Sequence, residues 1–232
     1  MKPVELVYHT IYLSLVIQIV TTLISLHGFY IKLDDKDHIL KDVLAIEAIV
    51  QFVETFFYVW VILALKHIKN MTRRRYIDWS ITTPIMLIST IIFMEFKYNR
   101  ENDGEKITLK KFMYDKKYDI IKIVVFNGLM LLFGYLGETG IISKYIGIPL
   151  GFLFFGLAFK VIYDNYALKT KIGYQLFLFV FIVWSIYGIA AMMPIPYKNI
   201  SYNTKALIGD LTRNPYQPSD WCKKKTKDYA KF

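Results

Sequence analysis

Arg75-Tyr76-Ile77-Asp78-Trp79-Ser80-Ile81-Thr82-Thr83-Pro84 runs without a break into an apolar stretch that ends at Phe96. The segment is long and greasy enough to cross a bilayer, yet it carries Arg75 and Asp78, and an ionisable side chain inside a membrane is by default a functional residue. At helical spacing Arg75, Asp78, Trp79, Thr82, Met86 and Ser89 share one stripe. An Asp one turn from an Arg, beside a flat aromatic, suits holding a cation next to an extended apolar ligand. It suits equally an interhelical salt bridge that only fixes packing, and spacing by itself does not separate the two.

The rest of the chain extends this pattern. Its 232 residues are 55% hydrophobic and 17% aromatic, with a mean hydropathy of +0.34, too apolar for an ordinary soluble domain. A membrane-spanning helix needs about 20 mainly apolar residues, and such stretches stand near 4–29, 43–68, 73–96, 119–138, 141–163 and 172–194. Six spans joined mostly by short links predict one all-α bundle of antiparallel neighbours. The exception is a long polar loop from Lys97 to Lys117. The first stretch runs past a signal-peptide core and lacks a small-residue cleavage site, so it is expected to stay as a helix. The single cysteine, Cys222, excludes an internal disulfide framework and a cysteine-built metal site.

A second polar stripe lies on the second span, where Glu47, Gln51, Glu54 and Tyr58 recur at i, i+4, i+7 and i+11. Carboxylates do not face lipid, and inside a bundle they mark cation or proton pathways. The plainer alternative is a pair of protonated Glu residues bonded to neighbouring helices. His9, His27, His38 and His67 are scattered and form no ligand set, so an enzyme is the least favoured class. Nucleic-acid binding has only the net charge of +10 behind it.

The order Arg-Tyr-x-Asp-Trp-x-x-Thr-Thr-Pro resembles the third helix of the microbial (type 1) rhodopsins. The resemblance implies that Asp78 is the counterion of a protonated retinal Schiff base, with Arg75 outward of it. By the same resemblance Tyr76, Trp79, Thr82 and Thr83 surround or tune the chromophore. Where proton pumps of that family carry a carboxylate near the inner end, this chain has Ser89, which argues against an efficient outward pump. The Glu47, Gln51 and Glu54 stripe is similar to the glutamate-lined second helix of channelrhodopsins and viral rhodopsins.

Two further stretches carry the likeness. Asn127-Gly128-Leu129-Met130 followed by Gly134 resembles the family's fourth helix. It implies that Met130 and Gly134 contact chromophore and that Asn127 hydrogen-bonds Thr83. The glycines have a plainer explanation in close helix approach. Trp184-Ser185-Ile186-Tyr187-Gly188 resembles the sixth helix, with Trp184 pressing on the polyene and Tyr187 bounding the pocket. The family often has Pro where Gly188 stands, a change expected to alter helix flexibility more than binding.

After Asn203 the likeness breaks. The family continues into a seventh helix with Asp-x-x-x-Lys, whose Lys holds retinal, but Ser201 stands at the Asp position and Lys205 is the nearest lysine. No Schiff-base lysine is identified beyond this weak candidate. Residues 1–196 are therefore expected to form a rhodopsin-like bundle of six clear spans, and 197–232 a basic, disordered tail in place of the seventh. A frameshift or misassigned coding end just after Asn203 would produce that pattern. Lys and Arg concentrate in the first, third and fifth links, which places the N-terminus outside.

The functional expectation is a multi-pass membrane protein that binds all-trans retinal and acts as a light-gated cation channel or ion-translocating photoreceptor. Its expected partners are lipid, retinal, and cations or protons, with a homo-oligomer open and no nucleic acid. Two alternatives stand beside it: a truncated, non-photoactive rhodopsin-like protein without the lysine, and a light-driven proton pump.

Overall fold

The computed structural model describes residues 3–64, 71–102, 104 and 106–192. The expected tail beyond 196, Lys205, the point after Asn203, and His67 lie outside the described residues. Among the described residues the regular structure is helical throughout: α1 (Pro3–Gly28), α2 (Ile39–Ala64), α3 (Met71–Glu101), α4 (Leu109–Asp115), α5 (Lys117–Glu138), α6 (Lys144–Asn165) and α7 (Lys171–Met192). All but α4 contain segments long and apolar enough to cross a membrane. The fourth, fifth and sixth spans read from the sequence are thus α5, α6 and α7.

The third span is longer than its apolar run. At about 1.5 Å per residue the 31 residues of α3 reach well past a hydrocarbon core roughly 30 Å thick. The helix continues beyond Phe96 to Glu101, and the stretch expected as loop also holds α4. Thr108 caps α4 by accepting a hydrogen bond from the Lys111 N–H at 3.3 Å. Phe112 anchors it, buried beside Tyr166 with ring centroids 6.5 Å apart. Composition read this segment as polar because Lys110 and Lys111 separate the inward Leu109 and Phe112 that dock so short a helix.

α3 is the central element. Half of its spanning window is buried, against 22–39% for the others, because it packs on α2, α5 and α7 together. Pro84 inside α3 has no N–H to give, and Thr82 and Thr83 at the same level return their hydroxyls to the Asp78 and Trp79 carbonyls at 3.0 and 2.6 Å. α5 and α6 make the most extensive pair, since a Cβ on Gly147 would stand 2.8 Å from the Gly137 Cα. The turn between them holds Gly140 at φ +76°, a left-handed conformation natural to glycine.

The two ends of the bundle differ. At the Glu95 end the core is aliphatic and aromatic: Leu87, Ile91 and Ile92 of α3 meet Phe155, Phe159 and Ile162 of α6 and Phe177 of α7. Phe155 and Phe159 lie 4.4 Å apart, and both contact Phe181. The cavity described below is lined at the other end by Glu138. Facing outward, Leu23, Ile24, Phe52 and Phe56 are more than half exposed, a surface that a bilayer, rather than water, solvates well.

Half-buried ion pairs tie the links at the Glu95 end. Glu95 Oε1 lies 3.3 Å from Lys116 Nζ and Oε2 lies 2.7 Å from Lys169 Nζ, while Arg100 reaches Asp37 at 3.3 Å. Tyr166 donates to Asp119 at 3.1 Å. Replacing Glu95 by Gln removes the shared carboxylate charge from two lysines. The expected loss is about 1–2 kcal/mol, between the values for exposed and buried pairs. Thermal unfolding in detergent measures it, and an unchanged midpoint would assign these pairs no net contribution.

Candidate functional site

The α3 stripe predicted from spacing is present, and its charges are buried. Arg75 is 0% and Asp78 5% exposed. The guanidinium of Arg75 lies 2.8 Å from Oε2 of Glu138, both side chains being only 1% exposed, and the Tyr76 hydroxyl donates to the other oxygen of Glu138 at 3.0 Å. Arg75 also lies over Trp79, its Cζ 5.0 Å from the ring centroid. Glu138 is the last residue of α5, and the sequence reading passed over it. At the end of an apolar run, before Thr139-Gly140, an acid reads as an interfacial helix terminus. No helical spacing connects it to Arg75, 63 residues away.

Beside this cluster α3, α5, α6 and α7 line a mainly apolar cavity. Tyr76, Trp79 and Thr83 supply one wall, Met130, Leu131 and Gly134 a second, and Trp184 and Tyr187 a third. Thr82 does not line it. That side chain is buried and turned back on its own helix. Trp79 meets Tyr187 edge to face at 5.8 Å, and Trp184 is backed by Phe159 at 5.9 Å. Flat aromatic walls of this kind favour a planar, conjugated, apolar guest.

Two glycines let neighbouring side chains close in on the cavity wall. A Cβ on Gly134 would stand 2.9 Å from the Tyr76 hydroxyl, and one on Gly188 would stand 2.2 Å from the Phe152 ring. Phe152 thus fills the place a side chain at 188 would take. The residue at 188 therefore shapes the cavity wall directly, beyond the helix flexibility expected for it. The Asn127 amide donates to the Thr83 hydroxyl at 2.8 Å, clasping α5 to α3 at the cavity floor.

The second stripe also turns inward. Gln51, Glu54 and Tyr58 are buried, and the Ser89 hydroxyl of α3 donates to the Glu47 carboxylate of α2. Facing them is a row on α1 that carboxylate-guided reading overlooked. Thr10, Ser14, Gln18 and Ser25 are all buried. Ser25 donates to Gln51 at 2.9 Å, and the Thr22 and Thr55 hydroxyls stand 3.4 Å apart. The signal was available in the i, i+4, i+8 spacing of Thr10, Ser14 and Gln18. Among the described residues no group of His, Cys, Asp and Glu is placed to hold a metal ion.

Comparison with known families matches residues 9–209 to the family described as "Bacteriorhodopsin-like protein". The match runs past Asn203 and spans Lys205. Among solved structures, viral rhodopsin OLPVRII is 30% identical, with 89% of this chain and 92% of that chain covered and a TM-score of 0.75. A blue light-absorbing proteorhodopsin from Med12 is 19% identical, with 87% and 89% covered and a TM-score of 0.62. Thermophilic rhodopsin is 18% identical, with 91% and 90% covered and a TM-score of 0.67. The latter two likenesses concern the fold alone. Comparison with curated proteins returned no match.

Proposed function

The chain belongs to the bacteriorhodopsin-like family of microbial rhodopsins, an integral multi-pass membrane protein, and on that premise we propose that it binds all-trans retinal in the cavity and works as a light-gated cation channel. The observation that carries the ligand assignment is the aromatic slot itself. Trp79 and Trp184 form flat walls, Gly134 and Gly188 let Tyr76 and Phe152 close against the backbone beside them, and apart from Thr83 and Glu138 the lining is mainly apolar and aromatic. Retinal, when bound, supplies absorption of light, a light-driven change of shape and a cationic linkage.

This chain's residues supply the remainder. Asp78, buried on α3, would when ionised stabilise a cation and accept its proton. With the N-terminus outside, Arg75, Tyr76 and Glu138 close the outer end of the bundle. The Asn127–Thr83 clasp and the Ser89–Glu47 bond fasten α3 to α5 and to α2, so a push on α3 from the cavity loads both. The buried seam of Ser14, Gln18 and Ser25 on α1, facing Gln51 and Glu54 on α2, offers hydroxyl, amide and carboxylate oxygens along a path that cations can follow.

One contact favours a second reading, a light-driven proton pump. Ser89 leaves α3 without a carboxylate at that level, but Glu47 of α2 reaches the same place, so Ser89 alone does not argue against pumping. Photocurrents from the full chain in a voltage-clamped membrane with added retinal separate the two. A channel gives currents whose reversal potential follows the cation gradient; outward current at every voltage supports the pump, and no visible absorbance with retinal overturns both.

A further inference from the structure

On the outer surface of the bundle α3 and α5 leave a groove of about 1070 Å³ of atom-free space, floored by Ser80 and Pro84 of α3 and Gly128 of α5. Close helix approach does not account for Gly128. A Cβ there would meet nothing within 4 Å, whereas Gly137 and Gly147 bring two backbones into contact. A bare glycine on an exposed helix face is costly relative to Ala, and here its effect is to keep the groove open.

The groove and the inner cavity share a wall. Tyr76 and Leu131 line both, so these two side chains stand between the groove and the aromatic slot. The Tyr76 ring rests edge-on against Trp79 and Tyr135, its hydroxyl donates to Glu138, and the position beneath that hydroxyl is a glycine, Gly134. Among the described residues the two ends of the bundle are filled. The buried Arg75–Glu138 pair blocks one end of the bundle, and the Phe155, Phe159 and Phe177 stack fills the other.

We propose that the α3–α5 groove is the lateral entrance by which a linear, apolar polyene passes from the bilayer into the cavity, with Tyr76 and Leu131 as the wall that opens. This rests on the retinal-binding reading and adds the route. The occupant follows from continuity with the slot and from solvation, since a long polyene is dissolved in lipid and not in water. Among the polar groups along the groove, the Ser80 hydroxyl donates to the Ile77 carbonyl within α3 and the Asn127 amide N–H donates across to Thr83.

The test uses the full chain in lipid nanodiscs with all-trans retinol, which needs no lysine, followed by the circular dichroism that a chiral pocket induces in the polyene. Gly128→Phe and Ser80→Phe fill the groove from exposed positions that touch neither the cavity nor its ion pairs. Both are expected to reach the wild-type amplitude about tenfold more slowly, the equivalent of ~1.4 kcal/mol of added barrier. Leu153→Phe, on the exposed face of α6, is expected to leave the rate unchanged, and Leu131→Ala to raise it. Wild-type rates in both groove-filled variants overturn the entrance while leaving the binding reading standing. A wild-type protein that shows neither the induced band with retinol nor visible absorbance with retinal overturns the binding reading and the entrance with it.

Discussion

Glu138→Ala is expected to destabilise the protein by about 3 kcal/mol or more, because it takes the closest carboxylate from a guanidinium buried out of water. Arg75 and Glu138 are 2.8 Å apart and each 1% exposed, so solvent does little to screen the pair. The Tyr76 hydroxyl loses its acceptor in the same variant, which adds the cost of an unmade hydrogen bond, roughly 1 kcal/mol. Arg75→Gln combined with Glu138→Gln removes both charges at once and should recover most of the loss, as neutral replacement of a buried ion pair commonly does. Thermal unfolding of wild type, Arg75→Gln, Glu138→Gln and the double Gln variant in one detergent gives the coupling energy directly. Additive losses would show that the pair acts as two independent residues.

The second large effect is expected from Asp78→Asn. An opposite charge within a few ångströms holds a cation in its charged form, and its removal lowers the cation's pKa by about 1–3 units. The sign follows from charge alone: without the Asp78 carboxylate the cationic retinal linkage is disfavoured, so its deprotonation moves to lower pH. A smaller share of pigment therefore absorbs in the visible at neutral pH. The part that stays cationic absorbs at longer wavelength, because the ground-state charge has lost its stabilising partner. Light-driven ion movement should fall with it. Titration of the visible band from acid to alkaline pH, wild type beside variant, measures this, and superimposable titrations would remove Asp78 from its proposed role.

Much of the fold was legible in the chain itself. Six spans follow from bilayer length, a constraint that acts locally and leaves a local mark. The inward face of α3 could be read because a 3.6-residue period turns spacing into direction. The same rule found Glu47, Gln51 and Glu54, and it would have found Thr10, Ser14 and Gln18 had small neutral residues been weighed like acids. The segment 97–117 was misjudged for the opposite reason, since only Leu109 and Phe112 dock α4 and two residues are too few to set a period.

Sequence by itself determined which residues are costly to bury and which of them share a helix face. Partners across helices were decided only when the chain closed on itself. That Arg75 belongs with Glu138, that Glu47 supplies the carboxylate Ser89 lacks, and that Phe152 occupies the space above Gly188 all depend on residues 36 or more positions apart in the chain. The physical reason is that period and composition report one element at a time. A cavity and a buried ion pair instead belong to the gap between elements, whose shape depends on which helices become neighbours and how closely they approach.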